Sequence, residues 1–280
     1  MESMGRISLF ADIAGRPTRT VDGNPLVTAG VVAFNSADLP LLRSKTPATL
    51  PKWKHLTRPA ARRAVQFLLD HAVVVSSVTV NRDTAQWAAA LEDSDRLHAK
   101  IASQSRAKAG WAKLPIVLAY ELLSRACFLA LAHVLRTQRP QHVFAHLGAT
   151  AIECDVVCDK EFSADEDIEV FTSFWDDKHV PTEALWRLGY TVTHPSVTVT
   201  TDDDERLLMW ADIAAGMCHS ARLPKPGRIA MPLTCTVSRR LLEPLAESNK
   251  LALDAYAFGT TYDDVFGEVM NVVRGDAPLS

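Results

Sequence analysis

The run Val73–Val80, reading Val-Val-Val-Ser-Ser-Val-Thr-Val, constrains the fold more than any other stretch of this chain. β-branched side chains crowd a helix but pack well on a pleated surface. A short apolar run without polar alternation reads as a strand buried within a sheet. Similar reasoning predicts strands at 6–12, 26–34 and 152–158, a further one near 141–147 and a short one at 196–200. A turn is expected at Gly15-Arg16-Pro17 and a hairpin-type connection at 21–25.

Helices are expected at about 59–71, 83–105, 112–137, 163–175 and 202–219. The last is signalled by Asp202 and Glu205 in the D-x-x-E spacing of a capping box. Strands mixed with helices in this order indicate an α/β or α+β fold with a mixed sheet. After Leu223-Pro224-Lys225-Pro226-Gly227, residues 223–280 read as a helical or mixed C-terminal appendage on a main domain of residues 1–222.

With 280 residues, 48% of them hydrophobic and 22% charged, the chain has ample core-forming material, which excludes a disordered or collagen-like protein. The net charge of −3 conceals an asymmetry: residues 1–150 carry 19 Lys/Arg against 10 Asp/Glu, and residues 151–280 carry 11 against 23. Such asymmetry points to nucleic acid. The five cysteines have no disulfide-like spacing, and the N-terminus lacks the pattern of a signal peptide. The apolar stretch 114–135 carries Glu121 and Arg125 four residues apart, which suits a half-buried soluble helix better than a membrane span. A cytoplasmic protein with reduced cysteines and no membrane association is expected.

Phosphate-loop, G-x-G-x-x-G, G-x-S-x-G and H-E-x-x-H motifs are absent, which removes most support for nucleotide hydrolysis, nicotinamide chemistry, serine esterase and zinc protease activities. The spacing His142-x-x-x-His146 and Cys154-x-x-x-Cys158 superficially resembles a zinc site. Residues four apart on a strand lie ~13 Å from one another, however, so neither pair can share a metal.

The chemistry is expected at three aspartates. Asp212 interrupts the apolar helix Leu207–Ala215, where an ionised carboxylate must be paired, protonated or metal-bound. Asp12 closes the first strand, and Asp159 closes the strand ending Val156-Val157-Cys158. Each has an ordinary alternative: a turn for Asp12, a strand end for Asp159, and a pair with Arg206 or His219 for Asp212. Together they suit a hard divalent ion, Mg²⁺ or Mn²⁺, of the kind that promotes phosphodiester hydrolysis. Their order (first strand, later strand, late helix) is that of the carboxylates in RNase H-like nucleases.

Two stretches carry a resemblance. Leu9-Phe10-Ala11-Asp12-Ile13-Ala14-Gly15, followed by Val27–Val32, resembles a family opening that reads D-E-S-G and then an apolar strand. Leu207–Gly216 is similar to the same family's closing helix, L-Q-x-A-D-L-x-A-G. The family is the bacterial and phage domain of unknown function 3800, whose fold is taken to be RNase H-like. The resemblance spans residues 6–222 in element order, with specific matching only at the two ends. It implies an RNase H-like mixed sheet flanked by helices, with Asp12 and Asp212 as acidic site positions and Asp159 as the inner-strand contributor. Asp155, on the same strand face, is the reserve. Ile13 and Ala14 stand where the family has Glu and Ser, removing one carboxylate and one hydroxyl.

The segment 39–69 holds seven basic residues and no acidic one: Arg43, Lys45, Lys52, Lys54, Arg58, Arg62 and Arg63. Trp53 and His55 lie among them, positioned to stack on bases while the basic groups face phosphates. The alternative is a solvated surface that pairs with the acidic half. A second basic cluster runs from Arg96 to Lys113. The expected function is a divalent-metal-dependent nuclease, with a catalytically decayed binding protein on the same scaffold as the alternative. A third reading is a self-associating structural or regulatory protein of a phage or mobile element, whose two charge halves meet in a homo-oligomer.

Overall fold

The computed structural model describes residues 6–15, 24–104, 114–138, 150–160, 190–223 and 234–258. A six-stranded mixed sheet, flanked by helices, makes an α/β fold. In chain order the elements are β1 (Ile7–Ala14), β2 (Leu26–Asn35), α1 (Leu39–Lys45), α2 (Arg58–His71), β3 (Val74–Asn81), α3 (Ala85–Gln104), α4 (Leu114–Gln138), β4 (Thr150–Asp159), β5 (Tyr190–Thr200), α5 (Leu208–Arg222), α6 (Cys235–Glu247) and β6 (Leu251–Ala257). Short 3₁₀ turns occupy Ser36–Asp38 and Trp53–His55.

The strand order is β5-β4-β1-β2-β3-β6. β1, β2 and β3 form an antiparallel meander, β4 runs parallel to both β1 and β5, and β6 runs parallel to β3. The run that constrained the fold is β3, buried along nearly its whole length. Both faces of the sheet are covered. Leu9, Ala11, Ala29, Val31 and Val78 pack on the α4 side, whereas Phe10, Val32 and Val75 pack on the side of α5, α2 and α6. Successive side chains of a strand point to opposite faces, so Asp12 shares the α5 face with Phe10.

α4 contains Val117–Val134, the stretch among the described residues long and apolar enough to cross a membrane, and most of it is buried within the fold. Glu121 and Arg125 pair along its partly exposed edge, where the Arg125 guanidinium lies 4.9 Å from the Tyr256 ring centre. On the opposite face, Phe67 of α2 stacks on Trp210 of α5 at 3.8 Å, and the Trp210 indole donates to Thr46 Oγ1.

Two expectations need revision. The helix expected from Asp202 begins at Leu208. Residues 202–204 form a turn, and Glu205 accepts from the Leu207 N–H and from Arg43 instead of closing a capping box. The strand expected at 196–200 extends over Tyr190–Thr200. The segment after 223 contributes α6, which packs against α5 and α2, and β6, which lengthens the main sheet. The hairpin residues 21–23, the strand at 141–147, the helix at 163–175 and the basic residues 106–113 lie outside the described residues.

Candidate functional site

The three aspartates line one cleft of about 530 Å³. In the parallel β1–β4 register Phe10 faces Val157 and Ala11 faces Cys158. Asp12 and Asp159 occupy the next step, on neighbouring strands and on the same face, where strands run about 4.8 Å apart. Asp212 arrives from α5, which crosses this face. Its approach depends on Gly30, the cross-strand partner of Asp12: a Cβ at residue 30 would lie 2.3 Å from the Ala215 nitrogen.

Each carboxylate is fixed by a backbone donor. The Ile13 N–H donates to Asp12 Oδ1 at 2.6 Å, the Lys160 N–H to Asp159 Oδ1 at 2.9 Å, and the Trp53 N–H to Asp212 Oδ2 at 3.1 Å. Burial raises the pKa values of Asp159 and Asp212 and outweighs those donors and the Lys52 charge, with the Asp202 charge adding to the upward push on both. At Lys52 desolvation works against the charge, but Asp212, Asp12, Asp159 and Asp202 together raise its pKa. Acidic groups thus sit in a partly dry cleft that favours added positive charge.

The donor set of carboxylate oxygens suits a hard divalent ion. Among the described residues, however, no three His, Cys, Asp or Glu side chains are closed around a common point as a ready metal cage. The three aspartates share the cleft without forming one. Asp155, the reserve position, is committed elsewhere: Arg6 Nε donates to its Oδ2 at 2.7 Å and Ser196 Oγ to its Oδ1. Burial pushes the Asp155 pKa up, but the Arg6 and Ser196 hydrogen bonds and the Arg6 charge leave it below the ordinary value.

Trp53 corrects the expectation of base stacking. It is only 2% exposed, its indole donates to Ser220 Oγ at 3.0 Å, and it packs so closely on α5 that a Cβ at Gly216 would meet it at 2.4 Å. An apolar ring in a basic segment has nowhere drier to go than the groove beside Gly216. Its role is to bolt the 52–54 turn to α5, which places its own N–H on Asp212. Lys52 and Lys54 line the cleft, whereas Arg58, Arg62 and Arg63 are exposed on α2 and do not. Arg43 is paired with Glu205, with Nε to Oε2 at 3.0 Å. This pair and Arg6–Asp155 join the basic and acidic halves within one chain.

His219 is a cleft residue considered from sequence only as a partner for Asp212, and that pairing is not the one made. Asn24 Oδ1 accepts the Leu26 N–H at 3.1 Å, which turns the Asn24 amide nitrogen toward His219 Nε2 at 2.8 Å. Nε2 therefore accepts, and Nδ1 carries the proton toward Thr28 Oγ1 at 3.1 Å, which in turn lies 3.0 Å from Thr79 Oγ1. Burial lowers the His219 pKa to about 4, so the ring is neutral. Lys160 also lines the cleft, and its place immediately after Asp159 is the only sequence signal for it.

No protein-family model and no curated protein matches the chain.

Proposed function

We propose that the protein is an RNase H-like, divalent-metal-dependent nuclease acting on DNA or RNA phosphodiesters. The observation that carries this reading is the placement of Asp12 and Asp159 side by side on parallel strands, with Asp212 brought over them by α5 in a lysine-lined cleft. A mixed sheet with β1 inside it, and carboxylates contributed in the order first strand, later strand and late helix, supports the RNase H-like part.

Asp12, Asp159 and Asp212 would hold Mg²⁺ or Mn²⁺, and such an ion supplies an activated water and stabilises the leaving oxygen. The remaining work belongs to the chain. Backbone N–H groups orient the three carboxylates, and the Trp53 bolt keeps the 52–54 turn against α5. Lys52 and Lys54 offset phosphate charge, which a cleft with an acidic floor would otherwise repel. Neutral His219 and its threonine partners brace the wall beside Gly15, whose φ of 90° and contact with the Leu26 carbonyl leave no room for a side chain.

Ile13 packs into the α4-side core, so the position where the family has Glu points chiefly away from the aspartate face here. That favours a second reading, nucleic-acid binding without turnover. The test is incubation of the full chain with labelled single- and double-stranded DNA and RNA in Mg²⁺, Mn²⁺ or EDTA. Cleavage that needs metal and is lost in Asp212→Asn supports the nuclease. Binding without cleavage of any substrate rejects it in favour of the second reading.

A further inference from the structure

The cleft holds two kinds of charge that do not close on each other. Lys52, Lys54 and Lys160 line it beside three aspartates, yet none of their ammonium groups forms a direct ion pair among the described residues. Four arginines elsewhere, Arg6, Arg43, Arg96 and Arg125, each contact a carboxylate, so what sets the three lysines apart from other unpaired cations is their place on the cleft lining.

The lysines also come from two separate segments on fixed backbone, the 52–54 turn and the end of β4. Lys52 and Lys54 flank the buried Trp53, whose N–H is bonded to Asp212 and whose indole is bonded to Ser220. Lys160 leaves the end of β4, where its N–H is held by the Thr200 carbonyl at 2.8 Å and by Asp159 Oδ1. All three side chains remain exposed above these anchors. Ammonium groups held near carboxylates without neutralising them remain available to a polyanion, and releasing its counterions provides salt-dependent affinity.

We propose that Lys160, with Lys52 and Lys54, clamps the phosphates of a nucleic-acid strand that crosses the cleft from the 52–54 turn to the end of β4. The strand does not follow α2, because Arg58, Arg62 and Arg63 are not part of the cleft wall. The substrate class rests on the nuclease reading; the strand path and the role of Lys160 go beyond it.

The test is fluorescence anisotropy of the full chain with labelled mixed-sequence DNA and RNA oligonucleotides across a salt series. EDTA is present so that no cleavage intervenes. Lys160→Gln is expected to weaken binding about threefold to tenfold without regard to sequence and to lower the salt slope by about one. Lys160→Arg should retain affinity, and the double variant Arg62→Gln/Arg63→Gln should stay within about twofold of wild type. Unchanged binding by Lys160→Gln overturns the clamp. So does an equal loss in the α2 double variant, or no binding by the wild type. Cleavage by wild type in Mg²⁺ alongside unchanged Lys160→Gln binding would remove the clamp and leave the nuclease. The expected lysine effect without any cleavage would do the reverse.

Discussion

Gly30→Ala isolates the contact that brings α5 over β1. The added Cβ would stand 2.3 Å from the Ala215 nitrogen, 2.4 Å from its Cα and 2.7 Å from its Cβ. Carbon atoms in contact prefer about 3.5–4.0 Å, so the helix must retreat by about 1 Å, and no rotamer change can substitute because the nearest atoms on both sides are fixed to backbone. Overpacking of this kind costs about 3 kcal/mol at the upper end of its range. Residue 30 sits in an ordinary strand conformation, so replacing glycine also restricts the unfolded chain and returns up to about 1 kcal/mol. The net expectation is a destabilisation of about 2 kcal/mol, read as a lower urea midpoint at unchanged slope. Asp212 moves with α5, so metal affinity and nucleic-acid cleavage should fall as well. Without the clash the same substitution would stabilise the protein. A rise in midpoint, or a loss below about 0.5 kcal/mol, would therefore refute the close-approach argument.

Trp53→Phe should cost about 1 kcal/mol through loss of the indole bond to Ser220, while leaving oligonucleotide affinity within about twofold, because the ring is buried. His219 binds a proton near pH 6.5 in the unfolded chain but only near pH 4 when folded. The unfolded state therefore takes up the proton first, and stability falls by up to about 3 kcal/mol as pH drops through that window. Urea titrations from neutral to mildly acidic pH should show a flatter profile for His219→Gln. Asp212→Asn should abolish cleavage, lowering it at least about 100-fold, yet raise the urea midpoint at neutral pH. The folded state holds the Asp212 pKa above its unfolded value, so ionisation of Asp212 opposes folding there.

What the sequence made legible was local. The β-branched run of β3, the apolar-then-acidic end of β4, and the interrupted apolar helix around Asp212 each carried their signal within a few residues, whereas β1 runs two residues past Asp12 to Ala14. Trp53 was misread because basic neighbours suggested an exposed platform, while the groove that receives it is made by Gly216, more than 160 residues away. The start of α5 was misplaced for a similar reason: Glu205 has a capping-box spacing, but its carboxylate is taken by Arg43 and the Leu207 N–H, and the turn at 202–204 precedes the helix. His219 and Lys160 gave little signal because their neighbours in the cleft come from β1, β2 and the 52–54 turn. β6 was hidden because its burial, apolar at Leu251 and Ala252 and open beyond, becomes a strand pattern only beside β3.

The central claim is that Asp12, Asp159 and Asp212 act together on a divalent ion. Calorimetric titration of Mn²⁺ into the full chain and into Asp12→Asn, Asp159→Asn and Asp212→Asn tests it most directly. The account predicts saturable binding by the wild type and a loss of about tenfold or more in each variant. No saturable binding by the wild type, or affinity unchanged by all three substitutions, would contradict it.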